Sequence, residues 1–133
     1  MYFWSEEKST MKFSTDKQDN YVIIKLNEDK LTSLISSELK AELVMINSQD
    51  YKNIILDLTE TGYCDSSGLS AILVGNRLCK NSSGSFILTN LNEHVKKLIS
   101  ISQLDNILTI IPTASEAVDY IMMERIEKNL DNE

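Results

Sequence analysis

The 133-residue sequence has few of the residues that build several common kinds of functional site. It contains one histidine, one proline, four glycines and two cysteines. One histidine with Cys64 and Cys79 does not make a Cys/His zinc site, and a secreted disulfide scaffold carries more cysteines. We therefore expect both thiols to stay reduced, and we expect neither a metal site nor a cofactor.

The sequence also lacks long apolar runs and an excess of positive charge. No segment is apolar over the roughly 20 residues that cross a bilayer. Residues 1–10 lack the basic and apolar regions of a signal peptide. The net charge of −7 disfavours nucleic acid and anionic membranes as partners, and it suits a basic protein partner. We therefore predict a cytoplasmic protein that binds neither nucleic acid nor membrane.

The composition is that of an ordinary globular domain. Hydrophobic residues make up 42% of the chain and charged residues 25%. The length suits a single domain with a substantial core. We place this domain at residues 11–126, between an N-terminal extension at 1–10 and a charged C-terminal tail at 127–133.

Strand and helix patterns alternate along the chain after an opening hairpin, which joins residues 11–15 to residues 20–26. Apolar residues then recur on one face of a helix, at Ile35, Leu39, Leu43 and Ile46. Further strands are predicted at residues 53–58, 85–89 and 107–111, each followed by a helix. This order predicts an α/β fold, with about four helices on a mainly parallel sheet of four to five strands.

The stretch GYCDSSGLSAILVGNRL, residues 62–78, has a polar front and an apolar remainder. It follows a buried strand, so Ser66 and Ser67 lie at a strand-to-helix junction, where open α/β sheets collect their sites. The first amides of a helix have no partners there and can hold a phosphate. From the residues alone, plain helix capping is the commoner role of such serines, and a phosphorylation site is the alternative. Gly68 is expected to leave open space beside the hydroxyl.

A strand-to-helix junction can also hold a nucleophilic serine or a reactive cysteine. The G-x-S-x-G pattern of a nucleophilic serine is missing here, because Asp65 precedes Ser67 by two residues and Cys64 precedes Ser66 by two. The only candidate base, His94, is expected to be exposed at the start of a helix. A reactive Cys64 has no C-x-x-C partner, so a small residue at the edge of the core is the favoured interpretation. We predict no catalytic residue and no enzyme.

The motif Asp65-Ser66-Ser67-Gly68-Leu69 after the apolar strand IILDL, together with the order of elements, resembles STAS domains. The resemblance is to the stand-alone bacterial anti-sigma factor antagonists in particular, and it runs from about residue 11 to residue 123. It implies a STAS-like fold and a phosphorylation-controlled binding switch. Ser67, the second serine of the motif, is the implied phosphoacceptor. The resemblance gives the other four residues of the motif supporting roles. Asp65 helps to fix the conformation of the loop, and Ser66 caps the helix.

The resemblance also implies the partners. The kinase is itself the binding partner, an anti-sigma factor of the GHKL ATPase class, and a PP2C-type phosphatase removes the phosphate. The implied contact residues are Thr32 and Ser33 before the first helix, and Cys64 beside the motif. Thr32 stands where similar proteins often have an aspartate. A constitutive adaptor subunit of another regulatory or transport complex, without phosphoswitching, is the alternative.

Overall fold

The computed structural model describes residues 12–131, so the predicted extension at residues 1–10 lies outside it. Strands and helices alternate through most of this range. In chain order the elements are β1 (Phe13–Lys17), β2 (Val22–Leu26), β3 (Lys30–Leu31), α1 (Ser33–Ser48), β4 (Ile54–Asp57), β5 (Tyr63–Cys64), α2 (Ser66–Asn81), β6 (Phe86–Thr89), α3 (Glu93–Ile101), β7 (Thr109–Ile111) and α4 (Ala114–Asp131).

The main sheet has five strands in the order β1-β2-β4-β6-β7. The predicted N-terminal hairpin is confirmed: β1 and β2 are antiparallel, and Phe13 lies opposite Leu26. The amide of Gln18 closes the turn by donating to the carbonyl of Tyr21 at 2.9 Å. The other neighbouring strands are parallel. The predicted mainly parallel sheet with about four helices is therefore correct.

Helices cover both faces of this sheet. Ile54 and Leu56 of β4 point into the larger core, which α1, α2 and α3 complete. Ile55 points to the opposite face and packs with Ala117 and Ile121 of α4. Because both faces of β4 are buried, its sequence is a continuous apolar run without alternation. The periodic residues of α1 are buried as predicted: Ile35, Leu39, Leu43 and Ile46.

The last helix begins where a capping box predicts it. The amide of Glu116 donates to the Thr113 hydroxyl oxygen at 3.2 Å, and that hydroxyl donates to the Glu116 carboxylate at 2.9 Å. The helix then continues to Asp131. Residues 127–131, which belong to the predicted charged tail at 127–133, are therefore helical and exposed.

A second, two-stranded sheet was not predicted. Lys30 and Leu31 pair in parallel with Tyr63 and Cys64. Two residues per strand are too few to produce a periodic pattern in the sequence. This small sheet holds the start of α1 beside the start of α2.

Gly75 of α2 makes a close contact with a side chain of the neighbouring strand β6. A β-carbon on Gly75 would lie 2.4 Å from Cε1 of Phe86. The Phe86 ring is buried in the main core. The glycine therefore makes room for the aromatic ring between α2 and β6.

We expect Gly75→Ala to destabilise the protein, although alanine is the better helix former. The added methyl forces the buried ring to move, and this overpacking outweighs the gain in helix propensity, for a net loss of about 1 kcal/mol. Urea unfolding measures the free energy. Arg77→Ala, at an exposed position of the same helix, is the control and should change it little. A higher unfolding midpoint for Gly75→Ala would contradict the packing argument.

Candidate functional site

Asp65, and not Ser66, caps helix α2. The Asp65 backbone is extended, and its carboxylate Oδ1 accepts a hydrogen bond from the Gly68 amide at 3.1 Å. The Asp65 carbonyl accepts from the Leu69 amide at 3.0 Å. Ser66 is the first residue of the helix, so the expected capping by Ser66 is wrong. A carboxylate at this position also carries the charge that the positive end of the helix favours.

Ser66 and Ser67 both lie in the first turn of α2. Ser66 is exposed and Ser67 is half-buried. Neither hydroxyl has a hydrogen-bond partner among residues 12–131. Their amides precede the first intrahelical bond and are the free donors that an anion at a helix N-terminus uses. Both serine hydroxyls can therefore carry a charged group without breaking a side-chain hydrogen bond within residues 12–131.

Gly68 has a different role from the one predicted. It is buried, and a β-carbon there would lie 2.5 Å from Sγ of Cys64 and 2.6 Å from the carbonyl oxygen of Leu31. The same carbonyl accepts a hydrogen bond from the Asp65 amide at 3.3 Å. Gly68 therefore does not open space beside the serine hydroxyl. It allows the first turn of α2 to approach the backbone of β3, while Leu69 is buried in the core.

Cys64 lies beneath this turn and is only 2% exposed. Burial, with a smaller contribution from the Asp65 charge, raises the pKa of its thiol to about 12. Burial likewise raises the pKa of the Cys79 thiol to about 12. The Cys64 side chain therefore offers little surface to a partner, and the predicted contact at this residue stays a prediction. Its interpretation as a small residue at the edge of the core is correct.

Thr32 and Ser33 lie at the start of α1, next to β3. Thr32 is the N-cap residue, half-buried, and its side chain makes no capping hydrogen bond. Its carbonyl accepts from the Ser36 amide at 2.8 Å. Ser33 is exposed. Leu31, which directly precedes Thr32, contacts both Asp65 and Gly68. Thr32 and Ser33 therefore lie at the same end of the domain as the two serines.

The loop before the motif is anchored on both sides. The amides of Gly62 and Tyr63 donate to the carbonyl of Asp29 at 2.8 and 3.1 Å. On the other side, the Asn92 side chain donates to the carbonyl of Gly62 at 2.9 Å. The segment that leads into the serines is therefore held by β3 and by the start of α3.

An exposed ring pair lies beside the motif and was not predicted. The rings of Tyr63 and His94 stack with centroids 5.0 Å apart and an angle of 22° between their planes. His94 is exposed, as predicted. The residues come from β5 and α3, so no local sequence pattern indicates that they meet.

Exposed charges of both signs lie around this end of the domain. Asp29, Glu60 and Glu93 are exposed acidic residues, and Lys30 is an exposed cation. Glu60 lies 3.6 Å from Lys25 and Glu93 lies 3.6 Å from Lys96, and both interactions are weak at an exposed surface. Asp65 adds a negative charge at the start of α2. The basic partner expected from the net charge stays a prediction.

The fold and the serine junction together define a STAS-type domain. The sequence profile of the STAS domain family matches residues 12–117. BtrV of Bordetella bronchiseptica, named as an anti-sigma factor antagonist, is 30% identical over 105 residues, which cover 79% of this chain and 87% of BtrV.

Solved structures agree with this assignment. A crystal structure from Thermotoga maritima, described as an anti-sigma factor antagonist, has a TM-score of 0.76 and 28% identity, covering 87% of this chain and 98% of its own. Unphosphorylated SpoIIAA of Bacillus shares the fold, with a TM-score of 0.72 and 24% identity over 83% of this chain and 96% of its own. The chain belongs to the STAS domain family, within the non-enzymatic anti-sigma factor antagonists.

None of the helices within residues 12–131 has the length and apolar character needed to cross a bilayer. No three or more histidine, cysteine, aspartate or glutamate side chains in this range are grouped to hold a metal ion.

We expect Asp65→Ala to destabilise the protein by about 1 kcal/mol, because the Gly68 amide loses its capping partner. Asp65→Asn is the matched control: its side-chain oxygen still accepts that hydrogen bond, so its loss should be smaller. Urea unfolding measures both. Equal losses in the two variants would mean that the capping bond is not what stabilises this turn.

We expect both native thiols to resist alkylation at about pH 8, because a pKa near 12 leaves almost no thiolate there. Reaction with iodoacetamide should become fast only above that pKa or after unfolding in guanidinium. Ser66→Cys is the control, since it places a thiol at an exposed position. Rapid labelling of native Cys64 would contradict its burial.

Proposed function

We propose that this protein is a phosphorylation-controlled binding switch. In its unphosphorylated form it binds an anti-sigma factor that is also a serine kinase of the GHKL class. Phosphorylation of Ser67 releases the partner, and a PP2C-type phosphatase restores the binding form. The names of its relatives, anti-sigma factor antagonists, support this class of partner.

The observation that carries the proposal is the position of Ser67 in the first turn of α2. Its hydroxyl makes no hydrogen bond with residues 12–131, and the first amides of the helix are unpaired. A phosphate there meets free donors and the positive end of the helix dipole. Phosphorylation is therefore compatible with the folded domain, and its effect falls on the surface.

The choice of Ser67 over Ser66 rests on the motif. In the proteins that this chain resembles, the second serine is the acceptor. Exposure alone favours Ser66, because Ser67 is half-buried. The neighbour of Ser67, Gly68, is packed against Leu31 and Cys64, so this part of the turn is held in place for a kinase.

The cost of desolvating a phosphate explains why phosphorylation would release the partner. A phosphate adds about −1.5 to −2 charges at neutral pH. It would lie at the start of α2, at the Ser67 hydroxyl that the kinase has to reach. A kinase that reaches the hydroxyl must cover this spot, so the new dianion would be desolvated inside the interface. Thr32 and Ser33, at the same end, are proposed contacts in that interface.

We expect Ser67→Ala to abolish phosphorylation by the cognate kinase with ATP, and the matched Ser66→Ala variant to be phosphorylated like the wild type. Intact mass and peptide mapping by mass spectrometry identify the modified serine. Phosphate on Ser66 alone, or equal modification of Ser67→Ala, would refute the assignment.

The same variants test the switch itself. Unphosphorylated wild type and Ser67→Ala should bind the kinase with similar affinity, and Ser67→Asp should bind more weakly because it places a charge in the interface. Equal binding of Ser67→Ala and Ser67→Asp would favour the constitutive adaptor. Titration calorimetry measures the three affinities.

A further inference from the structure

We infer that the solvent-facing side of helix α1 is a second contact surface for the same partner, so this inference rests on the proposed function. We call this surface the α1 face. Its residues are exposed and uncharged: Ser33, Leu34, Ser37, Ala41, Val44, Met45 and Ser48.

The α1 face is uncharged, and in part apolar, where a surface helix normally carries charge. Leu34 is 68% exposed, Val44 50% and Met45 46%. The charged residues of the helix, Glu38, Lys40 and Glu42, are half-buried along its edges. An amphipathic surface helix has its charges on the solvent side. Since a quarter of the chain is charged, the absence of charge from this face indicates a surface that becomes covered.

The α1 face is continuous with the serine site. It begins at Ser33 and Leu34, directly after the β3 residues that contact Asp65 and Gly68. From Leu34 to Ser48 it extends for about 20 Å at 1.5 Å per residue. A partner that covers Ser67 and the start of α1 therefore reaches the α1 face without crossing other elements of the fold.

The size and charge of the face argue against a second copy of this chain. Its apolar side chains expose an area on the order of a few hundred Å², whereas a stable dimer buries about 800 Å² per partner. Two copies would each carry a net charge of −7, and their repulsion opposes association. The face fits better as an extension of the larger interface that the kinase forms at Ser67 and the start of α1.

A matched control surface exists on the other side of the sheet. Met123 and Ile126 of α4 are exposed apolar residues, as Met45 and Val44 are on α1. Helix α4 packs on the face of the sheet opposite to α1. A lysine on α4 therefore makes the same chemical change at a place that the partner does not reach.

The test compares Val44→Lys with Ile126→Lys in binding to the cognate GHKL-class kinase by titration calorimetry. We expect the dissociation constant to rise about tenfold or more for Val44→Lys and to stay at the wild-type value for Ile126→Lys. Both variants should keep the wild-type melting temperature, because both side chains are exposed. Met45→Lys replaces Val44→Lys if the latter folds poorly.

Three results would overturn the inference: wild-type affinity for both α1 variants, an equal loss in the α4 control, or no binding of the wild type to the kinase. A wild-type dimer in sedimentation that Val44→Lys converts to a monomer would also overturn it, since the occupant is then a second copy. The proposed function fails separately. If Ser67 is not phosphorylated but Val44→Lys still weakens binding, the α1 face is supported as a contact surface and the proposed phosphorylation switch is refuted.

Discussion

The close contact between Gly68 and Leu31 holds the candidate site together. A side chain at Gly68 would meet the carbonyl oxygen of Leu31 at 2.6 Å, and the Asp65 amide donates to that same oxygen. This contact fixes the first turn of α2 against β3, and β3 leads directly into α1. The two serines and the start of α1 therefore share one rigid end of the domain.

The sheet explains why this end is free for binding. Helices α1, α2 and α3 cover one face and α4 covers the other, so both faces are used for packing. The end of the sheet with the β4–α2 junction stays at the surface, where the amides that start α2 point outward. A phosphate can be stabilised there by the helix without entering the core. Stability and switching thus depend on different atoms of the same helix.

Much of the fold was predictable because its signals are local and repeated. The spacing of Ile35, Leu39 and Leu43 marks a helix, and the run from Ile54 to Leu56 marks a strand buried on both faces. The small β3–β5 sheet was not predictable, since two-residue strands produce no period. In the candidate site, the serines were located by their motif. The packing of Gly68 was not predicted, because it depends on Leu31, a residue distant in sequence.

The sequence by itself determined the order of strands and helices, the family and the position of the serine motif at a helix start. These follow from periodicity and from a short motif, which are properties of neighbouring residues. Only the tertiary structure decided that Asp65 caps the helix, that Gly68 makes room for a backbone and that Tyr63 stacks on His94. Each of these depends on the distance and direction between particular atoms, and the sequence pattern does not contain that information.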